Sequence, residues 1–154
     1  MGNVVAIQIA PEAEAALVSV KEVKAVAGQG LEGDRYFFRR GTYSKKHDAT
    51  REATFIEAEA LEALGRDYEL ELSPVESRRN ITTRGVALNH LVGRTFRVGG
   101  AVFKGLKLCE PCGHLEQLTG RPVRAGLIHR GGLRAEILES GMVSLGDKIE
   151  SIEC

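Results

Sequence analysis

The feature that most limits the fold is a period-two alternation of apolar and polar residues, broken at short intervals by glycine. Residues 94–98 and 101–108 flank Gly99-Gly100, a two-residue turn of the kind that tight hairpins prefer, because glycine accepts the positive φ such turns need. Residues 4–9 place Val5, Ile7 and Ile9 on one face. Leu133, Ala135 and Ile137 alternate with Arg134 and Glu136 in the same way. A period of two belongs to a strand with one buried face. Residues 20–27, 53–56 and 148–152 read as further extended segments, the first with mixed faces. Helices are predicted in three short places. Residues 57–64 put Ala60, Leu61 and Leu64 on one face, with Gly65 where a C-cap glycine belongs. Ser73-Pro74-Val75-Glu76 has the capping-box pattern with proline at the first helical position. Residues 123–129 form the third, and residues 41–51 read as a polar loop. There is no regular βαβ alternation, repeat or low-complexity stretch. The predicted class is mainly β with α insertions: six to eight short strands in a barrel or sandwich.

Composition narrows the function. At 154 residues the expectation is a single domain over residues 1–154. Lys plus Arg and Asp plus Glu each number 21, which argues against a broadly basic nucleic-acid binder, although a local patch can hide inside a neutral total, and nucleic acid is not an expected partner. No apolar run approaches the roughly 20 residues that span a bilayer, and no signal-peptide pattern opens the sequence. The expectation is a cytoplasmic protein without a membrane partner. In a reducing compartment three cysteines point to thiol chemistry, metal binding or packing before a disulfide framework.

Three stretches carry candidate chemistry. Gly28-Gln29-Gly30-Leu31-Glu32-Gly33 spells G-x-G-x-x-G, but a dinucleotide site needs a helix opening on those glycines, and Asp34-Arg35-Tyr36-Phe37-Phe38 offers none. A plain glycine turn, or one displaying Asp34 and Arg35 at the mouth of a site, accounts for it. Arg78-Arg79-Asn80 is either an anion-binding fork or a solvated basic pair. The richest stretch is Lys107-Leu108-Cys109-Glu110-Pro111-Cys112-Gly113-His114. A cysteine where a strand gives way to a loop is fixed yet reachable, and backbone N–H groups can hold it as thiolate. Cys109 and Cys112 leave several readings open. Half a zinc site would have only His114 and Cys154 to complete it. A redox dithiol would match the Cys-x-Pro-Cys motif of thioredoxin-like proteins without their βαβ context. A single thiolate could bind a soft metal such as molybdenum or carry sulfur as a persulfide. Beside these stands simple burial of two small residues. His129 next to Arg130-Gly131-Gly132 reads as surface.

Taken together, the segments GQGLEGDR (28–35), 54–64, SRRNI (77–81), LVGRTFRV (91–98), LCEPC (108–112) and LGD (145–147) resemble the MOSC domain, found at the C-terminus of molybdenum cofactor sulfurases and as small stand-alone bacterial proteins. The resemblance implies a β-barrel-like, strand-rich fold and a role with the molybdenum cofactor or activated sulfur. It aligns Cys112 with the family's invariant cysteine, which ligates molybdenum in the amidoxime-reducing relatives. It matches Arg78 and Asn80 to the R-x-N segment that helps hold the pterin there. Asp34, Arg35 and His114 would line the approach. Those catalytic relatives carry an additional N-terminal domain for which 154 residues leave no room. A second copy of the chain or another partner would then complete the pocket, or the protein is a carrier. Two activities follow as expectations. One is two-electron reduction of N-hydroxylated substrates, fed by an external electron donor. The other is sulfur transfer from a PLP-dependent cysteine desulfurase through a Cys112 persulfide, which Cys109 could discharge as a disulfide. A non-catalytic binding module with Cys112 merely buried is the remaining class.

Overall fold

The computed structural model describes residues 2–10, 16–34, 49–109, 127 and 130–152, and in them the alternation becomes eleven strands and one α-helix. The strands are β1 (Asn3–Ile9), β2 (Val18–Val20), β3 (Glu22–Val26), β4 (Gly30–Leu31), β5 (Ala53–Glu57), β6 (Ile81–Arg84), β7 (Thr95–Val98), β8 (Ala101–Leu108), β9 (Leu133–Glu139), β10 (Gly141–Ser144) and β11 (Ile149–Ser151), with α1 (Ala58–Tyr68) between β5 and β6. Eight strands form one open sheet in the order β11-β7-β8-β9-β5-β6-β1-β2, and β10-β3-β4 form a second. Among the described strands only β5 and β6 run parallel, because α1 carries the chain back across the sheet between them. The mainly β class with a helical insertion is therefore what the protein adopts. No helix among the described residues is long and apolar enough to cross a membrane. The third predicted helix, 123–129, lies outside the described residues except for Leu127.

The predicted hairpin is β7–β8, with Val98 opposite Ala101 and Phe96 opposite Phe103. That register places Phe96 and Phe103 with Phe55 of β5 at the centre of the core. Phe55 meets the other two edge-on, at 5.5 and 5.2 Å between ring centres, and Phe96 stacks on Phe103 at 5.8 Å. Edge-to-face and stacked pairs at such spacings add attraction beyond the area they bury. Gly105 of β8 is pressed against the Leu91 carbonyl, where a Cβ would come within 2.1 Å of its oxygen. Helix α1 buries Ala58, Ala60, Leu61, Ala63 and Leu64. Ile56, Leu72 and Leu127 join its apolar face in a second cluster.

Four expectations are corrected in detail. The face of β1 is not Val5-Ile7-Ile9, because the ladder to β6 shifts between Val4 and Ala6; Val4 and Ile7 are buried and Val5 is exposed. The extended segment 20–27 belongs to two sheets: β2 pairs with β1, the chain breaks at Lys21, and β3 pairs with β10. Its mixed faces record that change of partner. Helix α1 runs through Gly65, and Glu69 takes the left-handed cap at φ +56, with its N–H bonded to the Gly65 carbonyl at 3.1 Å. The capping box closes at both bonds, Ser73 N–H to Glu76 Oε1 at 3.0 Å and Glu76 N–H to Ser73 Oγ at 3.2 Å, yet it caps only a turn. The glycine motif is also a turn, with Gly28 at φ +75 and Gly33 at φ +92, leading into and out of β4.

Candidate functional site

The site is assembled from the strand ends around the cysteine stretch. Strands β8 and β9 are antiparallel with Leu108 opposite Leu133, so the chain leaves the sheet after Cys109 and returns to it at Gly132, in adjacent places. The Cys109 N–H donates to the Gly132 carbonyl at 2.7 Å and closes that base. Gly132 sits at φ +117 with its α-carbon against β5; a Cβ there would lie 2.0 Å from the Phe55 oxygen. Only glycine lets the returning strand come so close.

Arg79 completes the base. It is 8% exposed, and its side chain bonds three backbone carbonyls, two of them past β5 and the third in its own turn. Nε donates to Gly131 O at 2.7 Å, Nη2 to Cys109 O at 3.0 Å and Nη1 to Ser77 O at 3.4 Å. Its own carbonyl accepts from Gln8 Nε2 at 2.7 Å, and its N–H donates to Ser77 Oγ at 3.2 Å. The preceding Arg78 is in the left-handed region at φ +61, a conformation that costs a non-glycine residue energy and collects at functional sites. That bend sends Arg79 inward. Sequence reasoning passed over Arg79 as the variable position of R-x-N.

Beside this base, at the C-terminal end of β5, lies an open cleft of about 390 Å³ lined by Glu57, Ala87, Leu88, Asn89, His90, Arg130 and Gly132. One Glu57 carboxylate oxygen accepts the Leu88 N–H at 3.0 Å, which leaves His90, Asn89 and Arg130 as the donors of the lining. His90 and Arg130, read as plain surface in the sequence or not considered, are thereby brought together.

The predicted site residues separate. Cys109 is a free thiol and 2% exposed, a fixed residue of the base rather than an accessible one. Asn80 does not face a ligand. It is buried, its Oδ1 accepts from the N–H and the hydroxyl of Thr54 at 3.1 and 3.0 Å, and its Nδ2 donates to the Gln8 carbonyl at 3.2 Å, so it binds β1 to β5. Asp34, expected at the approach, is fully buried, with Oδ1 accepting the Ala10 N–H at 3.0 Å; it ties the end of β1 to the turn after β4. Arg78 is half-buried beside Arg79. Arg35, Cys112 and His114 lie outside the described residues.

Burial of Cys109 has a direct consequence. Iodoacetamide applied to the native protein should leave Cys109 unmodified, and denaturant should expose it, as read by peptide mass spectrometry. Rapid native labelling of Cys109 would contradict its place in the base.

An open, mostly antiparallel sheet with one crossover helix, and Cys109 where β8 ends beside the start of β9, define a β-rich domain. The MOSC domain model matches residues 42–150, and the chain belongs to the MOSC domain family, whose members are associated with molybdenum-cofactor binding or sulfurase-related functions. Among solved structures, the YuaD protein from Bacillus subtilis shares 17% identity and a TM-score of 0.80, covering 99% of this chain and 98% of that one. YiiM from Geobacillus stearothermophilus shares 14% identity and a TM-score of 0.76, covering 99% and 76%. YiiM from Escherichia coli shares 19% identity and a TM-score of 0.69, covering 99% and 70%. These likenesses establish the fold. No curated protein sequence matches the chain.

The donor set tests what the family implies. Among the described residues no group of three or more His, Cys, Asp or Glu side chains could hold a metal ion. The imidazole, amide and guanidinium around the cleft suit the anionic end of a cofactor, while the Glu57 carboxylate of the same lining, which accepts the Leu88 N–H, opposes it. The described residues fit that end of the group.

Proposed function

We propose that the protein binds the molybdenum cofactor, with Cys112 as the thiolate ligand of the metal. The observation that carries this reading is a juxtaposition: the segment bearing Cys112 leaves and re-enters the sheet beside a cleft whose donors are His90, Asn89 and Arg130. Covalent geometry keeps the Cα of Cys112 within about 11 Å of that of Cys109, so chain length alone ties it to this end of the sheet. Arg130 and His90 would take the anionic end of the cofactor, and Arg78 would add a cation from the neighbouring turn. Asn80 acts beneath them, fastening the turn that carries Arg78 and Arg79 to β5 and β1.

When bound, the cofactor supplies two-electron exchange at a soft, sulfur-ligated centre. The substrates that suit it here are N-hydroxylated compounds, and the partner this reading requires is an external electron donor. The cleft is open on this chain, and a second copy or another protein would close it.

The expected result is that cofactor-loaded protein consumes reduced viologen dye on addition of an amidoxime, whereas Cys112→Ser, folded to the same extent, does not. Metal-free protein that instead acquires a persulfide on Cys112 from a PLP-dependent cysteine desulfurase would replace the reductase by a sulfur carrier.

A further inference from the structure

The Arg79 guanidinium is a buried cation with no carboxylate partner among the described residues. Its bonds go to backbone carbonyls, and two of its five N–H groups are left over. Charges taken out of water are ordinarily paired, because carbonyl dipoles alone replace only part of the lost hydration. Two of the three carbonyls have a particular place in the chain. Cys109 is the last described residue before the Cys112 segment, and Gly131 lies at its return. One planar fork thus bonds both ends of the segment at once, from donors whose relative geometry is fixed, where the donors of an ammonium share one atom on a flexible stem. The clamp is itself held: Gln8 bonds the Arg79 carbonyl, Ser77 bonds its N–H, and the bend at Arg78 aims it.

We propose that Arg79 is a positioning residue that holds together the chain ends at Cys109 and Gly131, between which Cys112 lies, and that its charge, with no carboxylate partner among the described residues, makes this base prefer an anionic ligand group. The first part stands on geometry alone. The second rests on the reading of Cys112 as an accessible thiol, because that thiol reports on the charge.

The test compares the full chain as wild type, Arg79→Met and Arg79→Lys. Hydrogen exchange is followed in peptides covering residues 110–130 and, as an internal reference, in α1. Arg79→Met should speed exchange in 110–130 by about tenfold or more while leaving α1 within about twofold, the local loss expected when charged hydrogen bonds at one base are removed. Arg79→Lys, which keeps the charge and loses the fork, should give a smaller rise confined to the same segment. Exchange that does not change, or that rises equally in α1, overturns the positioning role. If Arg79→Met does not fold, Arg79→Lys decides alone: a rise confined to the segment supports the clamp and no rise overturns it.

The charge is read separately, as the rate of Cys112 alkylation by anionic iodoacetate divided by that with neutral iodoacetamide at low ionic strength. Arg79→Met should lower this ratio by about threefold, and Arg79→Lys should preserve it. A ratio unmoved in folded Arg79→Met overturns the anion preference. Cys112 that resists both reagents in the native wild type contradicts the proposed function, while exchange still decides the positioning role.

Discussion

Gly132→Ala is expected to destabilise the protein by about 3–5 kcal/mol, the combined scale of a strained backbone and an overpacked site. The added Cβ would lie 2.0 Å from the Phe55 carbonyl oxygen and 3.1 Å from its carbon. These are backbone atoms of a central strand and cannot turn aside as a side chain would. The residue also stands at φ +117, which alanine adopts only under strain. The two penalties act at the place where Cys109 bonds Gly132, so the base of the cysteine segment should open along with the β5–β9 ladder. Gly93 provides the control. It too has positive φ, +79, but nothing lies within 4 Å of its Cβ position, so Gly93→Ala should cost only about 1–2 kcal/mol. Urea unfolding at constant m-value separates the two. A Gly132→Ala midpoint within about 1 kcal/mol of wild type would contradict the close approach.

Asn80→Ala is expected to cost a similar amount, about 3–5 kcal/mol, through unpaired polar groups rather than a clash. Removing the amide leaves the Thr54 N–H and the Gln8 carbonyl without the partner that now joins them, both in the interior. An unsatisfied buried group costs about 1–3 kcal/mol, and the small cavity adds to it. Asn80→Asp keeps the shape but sets a carboxylate oxygen against the Gln8 carbonyl, so it should not rescue. Cofactor retention in these variants should follow the folded fraction, because Asn80 acts through the sheet. Retention that falls in a fully folded Asn80→Ala, measured beside its urea midpoint, would return the residue to the ligand.

The parts of the fold that were legible in the sequence are those fixed by near neighbours. Gly99-Gly100 sets the β7–β8 hairpin within a few residues, and the alternation of Leu133, Ala135 and Ile137 fixes which face of β9 is buried. What stayed hidden depends on distant partners. Nothing in residues 20–27 says that the chain changes sheets at Lys21, because β10, the partner of β3, is remote in sequence. Gly65 has the residue type of a helix cap, but the cap falls at Glu69, after another turn of helix has buried nothing new from Gly65 onward. The site divides in the same way. The cysteine stretch announces itself by residue type and spacing. The roles within Arg78-Arg79-Asn80 are set by one left-handed residue and by carbonyls from two other strand ends, which residue types alone do not reveal.

The most direct test of the central claim is the content of molybdenum and released oxidised pterin in protein purified from a host that makes the cofactor, wild type beside Cys112→Ser. Near-stoichiometric metal and pterin are expected in the wild type, with their loss in Cys112→Ser at an unchanged unfolding midpoint. Equal loading of the two proteins, or metal and pterin absent from both, would contradict it.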